Sequence, residues 1–165
     1  MQHVQTRSTT SALVLTAVLI ALATLFTMYT KIPVPGIRGY FNVGDVVIMT
    51  SALLFGRKYG AYIGAIGPAL ADLFLGYAVF VPITFVVKGI EGYLVGTVYN
   101  HKTTTSALVA TIVGGIVIVA GYFIAEYFVF DPGVAIASIL TNAIQAVMSV
   151  IVSIILYAIL RKRLG

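Results

Sequence analysis

Residues 59–99 read YGAYIGAIGPALADLFLGYAVFVPITFVVKGIEGYLVGTVY. These 41 residues carry only Asp72, Lys88 and Glu91 as charged side chains. A helix crosses the hydrocarbon core of a bilayer in about 20 residues. The stretch is too long for one span and about right for two, with a turn between Gly76 and Pro82. Pro82 suits the first turn of the later helix, where its missing N–H costs nothing. A pair of spans in mid-chain makes this a polytopic membrane protein.

The rest of the chain agrees. Of 165 residues, 60% are hydrophobic and 9% charged. A soluble domain carries roughly 25% charged residues, so this chain cannot cover a water-facing surface. The mean hydropathy of +1.06 says the same. A soluble globule, a disordered chain and a nucleic-acid binder are excluded. The net charge of +5 is spread along an apolar chain and reads as a topology signal. There is no cysteine, so disulfides, thiolate metal sites and cysteine nucleophiles are absent.

Breaks in hydropathy predict an all-α membrane protein, six transmembrane helices in a compact bundle forming one integral-membrane domain over 1–165. The expected helices are 10–29, 43–55, 59–76, 82–99, 107–130 and 133–160. The first apolar run is span length, longer than the core of a signal peptide, and Thr30-Lys31 is a poor cleavage site. Pro33, Pro35, Gly36 and Gly39 forbid helix in the loop after it. Asp131-Pro132-Gly133 reads as a turn. With both termini cytoplasmic, Arg7, Arg57, Lys58, Lys102, Arg161, Lys162 and Arg163 lie inside, against Lys31 and Arg38 outside. That asymmetry sets the expected orientation and a cell-membrane location.

In this topology every strongly polar membrane residue falls in the outer half of the bilayer. Asp45 opens the second helix, Asp72 nears the outer end of the third, and Lys88 and Glu91 lie early in the fourth. Glu126 is near the outer end of the fifth, and Asn142 and Gln145 are in the outer half of the sixth. A charge in lipid costs on the order of 2.5–3.5 kcal/mol or more, so these groups should face one another or a wet cavity. Lys88 and Glu91 share a helix face, as do Asn142 and Gln145. The simplest packing surrounds one outward-opening cavity. Two plainer readings stand beside it: an Asp72–Lys88 structural ion pair, and Asp45 as a helix cap, which is the favoured role for that residue. Tyr40, Phe41, Phe74, Tyr77, Phe80, Phe85, Tyr122, Phe123, Tyr127 and Phe130 lie at the same level, either as cavity wall or as an interfacial belt.

Small residues recur four apart: Ala17 and Ala21, then Gly56, Gly60 and Gly64, then Gly92 and Gly96. Such spacing lets helices approach closely. Catalytic chemistry is sparse. His3 and His101 lie outside the membrane core, no metal-ligand spacing exists, and no phosphate-binding glycine loop is present. Asp45 with Asp72 is the one conceivable dyad, with Gly44-Asp45 only half of an aspartyl-protease motif.

Several stretches together resemble a known family. They are Gly39-Tyr40-Phe41-Asn42-Val43-Gly44-Asp45, Leu53-Leu54-Phe55-Gly56 with Gly60 and Gly64, Ala69-Leu70-Ala71-Asp72-Leu73 and Gly76-Tyr77. Pro82, Lys88-Gly89-Ile90-Glu91-Gly92, Gly121-Tyr122-Phe123-Ile124-Ala125-Glu126, and Asn142 with Gln145 complete the set. In order and spacing the chain resembles the substrate-binding S components of energy-coupling factor (ECF) vitamin transporters, in the group that includes riboflavin, hydroxymethylpyrimidine and pyridoxine carriers.

The resemblance implies a non-enzymatic subunit without cofactor that binds a small vitamin near the outer face. The first loop covers the site, and the fourth to sixth helices supply most contacts. It implies partners: a transmembrane coupling subunit and two cytoplasmic ATPases. Ala17 and Ala21 match an alanine pair of the docking surface. Carried over, Glu126, Asn142, Gln145, Lys88 and Glu91 are expected to face the substrate, with Asp72 behind them and Tyr122 or Tyr40 stacking on the ring. Riboflavin carriers often have Phe-Ser-Asp before the second helix. Asn42-Val43-Gly44-Asp45 stands here and tilts the reading toward a small ring, hydroxymethylpyrimidine or a B6 vitamer. A self-sufficient oligomeric transporter or channel, and an intramembrane aspartyl enzyme, are the alternatives.

Overall fold

A computed structural model describes residues 9–33, 40–99 and 103–164. Arg7, Arg38 and Lys102 of the charge asymmetry, His3, His101, and Pro35, Gly36 and Gly39 of the first loop lie outside these residues.

Six helices form the bundle: α1 (Thr9–Tyr29), α2 (Gly44–Phe55), α3 (Arg57–Phe74), α4 (Phe80–Val98), α5 (Thr104–Val129) and α6 (Pro132–Leu164). Between α1 and α2, β1 (Ile32–Pro33) pairs antiparallel with β2 (Tyr40–Phe41). Helices α1, α4, α5 and α6 are long and apolar enough to cross a membrane. The 12-residue α2 is too short, and α3 begins with Arg57 and Lys58. At α2, ten of its 12 residues are buried inside the protein.

Local chemistry sets the boundaries. Only Gly56 separates α2 from α3, with φ 93° and ψ 179°. That backbone region is open essentially to glycine alone, so the corner is sharp, and α3 starts at Arg57 rather than at 59 as expected. Gly76 (φ 82°) lies in the short connection from α3 to α4. Thr103 caps α5 by accepting the Ser106 N–H at 3.1 Å. Asp131 accepts the Val134 N–H at 3.0 Å, and Pro132 takes the first helical position, where proline fits best. The expected Asp-Pro-Gly turn is therefore the cap and start of α6. That helix runs on to Leu164, beyond the expected end at 160, because the basic residues Arg161, Lys162 and Arg163 suit a helix C-terminus.

Close backbone approach holds α3 to α4. A Cβ on Gly60 would strike the Gly92 carbonyl, and one on Gly92 would strike Gly60. A Cβ on Gly64 would meet the Lys88 carbonyl. Pro68 sits inside α3, and next to it the Gly67 carbonyl accepts the Thr24 hydroxyl of α1 at 2.9 Å. One apolar cluster joins α2, α4, α5 and α6 through Met49, Val95, Ile118 and Tyr157. A second, with Ala23, Ile48 and Ile63, joins α1, α2 and α3. Between these clusters and the β1–β2 hairpin lie the polar residues.

Candidate functional site

The site begins where α2 begins. A Cβ on Gly44 would collide with the Thr27 hydroxyl of α1, so its absence lets α2 start deep against α1. The Gly44 N–H is taken by Asn42 Oδ1 at 2.8 Å. Asp45 lies inside the first turn, after the N-cap Val43, and both its carboxylate oxygens are engaged by side chains of other helices. It is fully buried. Its Oδ1 lies 2.5 Å from Lys88 Nζ, and its Oδ2 accepts from Gln145 Nε2 at 2.7 Å. The expected cap is an ion-pair partner instead.

Lys88 is only 1% exposed, so its ammonium needs a counter-ion. Asp45 of α2 supplies it at hydrogen-bond distance, rather than Asp72 of the plainer reading. Glu91, three residues on along α4, brings Oε2 to 3.4 Å from the same ammonium, an ionic contact without hydrogen-bond geometry. Lys88 Nζ also lies 5.4 Å from the centre of the Tyr122 ring. The Tyr122 hydroxyl is 3.0 Å from Thr84 Oγ1.

Asp72 turns to the hairpin. Its Oδ1 accepts the Tyr40 hydroxyl at 2.6 Å. Its Oδ2 is buried with no hydrogen-bond partner among the described residues. Burial, then the charge of Asp72 and the bond to it, hold the Tyr40 hydroxyl well above the ordinary tyrosine range, so it stays a donor. The Tyr40 ring packs on Tyr77 with centroids 5.0 Å apart. Lys31 caps this pair, its Nζ 4.9 Å from the Tyr77 centroid and 5.8 Å from that of Tyr40. Glu126 of α5 accepts the Ser138 hydroxyl of α6. The Gln145 amide is engaged at both ends, since its Oε1 also accepts the Asn42 N–H at 3.0 Å.

These groups surround a cavity of about 40 Å³. Of the residues expected to face a substrate, Tyr40, Lys88, Tyr122, Glu126, Asn142 and Gln145 line it, together with Asp72. Glu91 is not among the lining residues and stands behind Lys88. Asp45 and Asp72 take separate partners, so the supposed dyad is not assembled. Thr27, Asn42, Pro68, Phe80, Thr84 and Thr141 line the cavity too. Ser138 belongs to a polar stripe of α6 with Asn142, Gln145, Ser149 and Ser153. Its spacing of three and four residues marks an inward helix face, and this stripe was the available sequence signal. A larger groove of about 600 Å³ between α5 and α6 is lined only by apolar residues, such as Ile112, Ile116, Ile139 and Val147. It has nothing to orient a polar ring. No cluster of metal-ligating side chains exists among the described residues.

The aromatics expected at this level divide. Tyr40, Tyr77, Phe80, Tyr122 and Phe130 pack at the cavity or against its walls. Phe74, Phe85 and Tyr127 project outward, 66%, 50% and 44% exposed, as a belt would.

An all-helical, multi-pass membrane bundle closed around a polar cavity is the class that fold and site define. The chain belongs to the family described as "ECF-type riboflavin transporter, S component", whose model matches residues 7–162. It is thus a vitamin-uptake subunit of an ECF transporter, not an enzyme. A protein of Pyrococcus woesei described as "Uncharacterized protein in gap 3'region" is 42% identical over 145 residues, 86% of this chain and 96% of the relative. The "Thiamine precursor transporter HmpT" of Lactococcus lactis subsp. cremoris is 30% identical over 149 residues, 89% of this chain and 83% of the relative. A solved structure described as "Structure and mechanism of the S component of a bacterial ECF transporter" superposes with a TM-score of 0.73 at 22% identity. It covers 94% of this chain and 98% of that one.

Proposed function

We propose that the chain binds hydroxymethylpyrimidine or a closely similar single-ring vitamin precursor in the polar cavity and delivers it to an ECF transport complex. The carrying observation is the cavity itself: Asn142, Lys88, Glu126, Asp72 and the Tyr122 ring line one small space. Donors, acceptors and one aromatic face suit the edge and face of a substituted pyrimidine. The Lactococcus relative is described as a thiamine precursor transporter, which favours the same ring. At about 40 Å³ the space holds little more than a water molecule, so ligand entry requires displacement of the hairpin that carries Tyr40. The site faces the outside of the cell, both termini are cytoplasmic, and one integral-membrane domain spans the chain. The partners are a transmembrane coupling subunit and two ATPases, which supply the energy this subunit lacks. Ala17 and Ala21 lie exposed on the outer side of α1 and form part of the docking face.

Calorimetry on the detergent-purified protein tests the substrate. Hydroxymethylpyrimidine should bind more tightly than pyridoxine and riboflavin. Riboflavin is the second reading, on the strength of the family description. A yellow protein as purified, or preferential riboflavin binding, would replace the first reading with it.

A further inference from the structure

The chain has five acidic residues, and four of them, Asp45, Asp72, Glu91 and Glu126, are buried around this cavity. Among the described residues, the one buried base there is Lys88. Asp45 holds its ammonium at 2.5 Å, with Glu91 behind it at 3.4 Å. Lys88 is therefore already committed to α2 and its own helix. Asp72 and Glu126 line the cavity and accept hydroxyl hydrogen bonds from Tyr40 and Ser138, with no direct ion pair of their own among the described residues. Asp72 is 3% exposed, and its Oδ2 has no hydrogen-bond partner among the described residues.

Among the described residues, Lys88 is the cavity's one cation; its charge reaches Asp72 as well as Asp45 and Glu91, and no further positive charge lines the cavity. α1 contributes Thr27, β2 contributes Tyr40, and α6 contributes Thr141, Asn142 and Gln145. From α4 and α5 come Lys88, Tyr122 and Glu126. Lys31 is outside the lining, over the Tyr40 and Tyr77 rings. Buried carboxylates without a cation are costly, and an opposite charge placed beside them is strongly favoured.

We propose that the cavity takes its ligand as a monocation, a ring-protonated nitrogen heterocycle whose N–H groups are received by Asp72 and Glu126. The charge selection rests on the single-ring reading above. With both carboxylates ionised in the empty cavity, a neutral aminopyrimidine in water then gains one proton from solvent at a ring nitrogen as it binds. A carboxylate oxygen accepts the resulting N⁺–H, a charge-assisted bond stronger than a neutral one. A flavin ring has no nitrogen that protonates near neutral pH, so the same charge pattern discriminates against it.

Calorimetry of hydroxymethylpyrimidine in buffers of different ionisation enthalpy reads the proton directly. Uptake should approach one proton per ligand above the ligand's own pKa and vanish below it. Affinity should fall about tenfold per pH unit above that pKa. An aminobenzyl alcohol of the same shape, which lacks the ring nitrogens, should bind at least about tenfold more weakly, with no proton uptake. Glu126→Gln and Asp72→Asn should each reduce affinity and uptake, with ligand-free melting confirming that the variants fold. Tight pyrimidine binding without proton uptake, or equal binding of the carbocycle, overturns the charge selection and leaves the substrate reading intact. Preferential, pH-independent riboflavin binding overturns both.

Discussion

Asp45 shows how much a single buried residue decides. Its carboxylate joins α2 to Lys88 of α4 and Gln145 of α6. Removing one member of a buried ion pair strands the other, at a cost of about 3–5 kcal/mol. Asp45→Ala should therefore lower the melting temperature of the purified protein sharply. An unchanged melting curve would mean that Lys88 finds another partner. Asn142 differs: it lines the cavity without the double engagement that ties down Gln145. Asn142→Ala should weaken ligand binding at least about tenfold, roughly 1.4 kcal/mol or more, with little change in melting, as calorimetry and thermal unfolding would show together. The presence of buried polar residues was legible in the sequence, because membrane depth makes each of them costly. Their partners were not. Helix spacing reports which residues share a face, whereas the pairing of Asp45 with Lys88 depends on how two helices meet 43 residues apart. The start of α2 depended on Gly44, whose missing Cβ admits Thr27, and no periodicity announces that contact.

At the scale of elements, glycine spacing was read as close helix approach, and it is borne out most clearly between α3 and α4. Overpacking a well-fitted contact costs about 1–3 kcal/mol. Gly92→Ala places a methyl against the backbone of Gly60 and should destabilise the protein by that order in detergent melts. Gly89→Ala, whose Cβ would stand 3.2 Å from the Ala65 Cβ, should cost less. Equal melting of the two variants would show that α3 and α4 can separate without penalty. The long helices α1, α4, α5 and α6 were legible because span-length apolar runs are a strong signal. The corner at Gly56 and the β1–β2 pairing were harder to see. A single left-handed residue and a two-residue strand pair leave little trace in hydropathy.

For the whole molecule, the proposed site and docking face predict that binding and transport are separable. The proposed ligand groups gather around one cavity, while Ala17 and Ala21 lie on the outer side of α1. Ala17→Phe or Ala21→Phe should leave calorimetric binding unchanged and abolish vitamin uptake in cells or in reconstituted complexes. Uptake at the wild-type rate would move the docking surface elsewhere on the bundle. The short α2 bears on the order of assembly. Its 12 residues rise about 18 Å, well under a bilayer core of about 30 Å, and its first turn carries a charge. An apolar segment of that length cannot cross the bilayer by itself, and its buried charge has no partner until Lys88 is in place. Its charge is satisfied by Lys88 of α4 and Gln145 of α6, so the cavity cannot be complete before α4 and α6 have been synthesised.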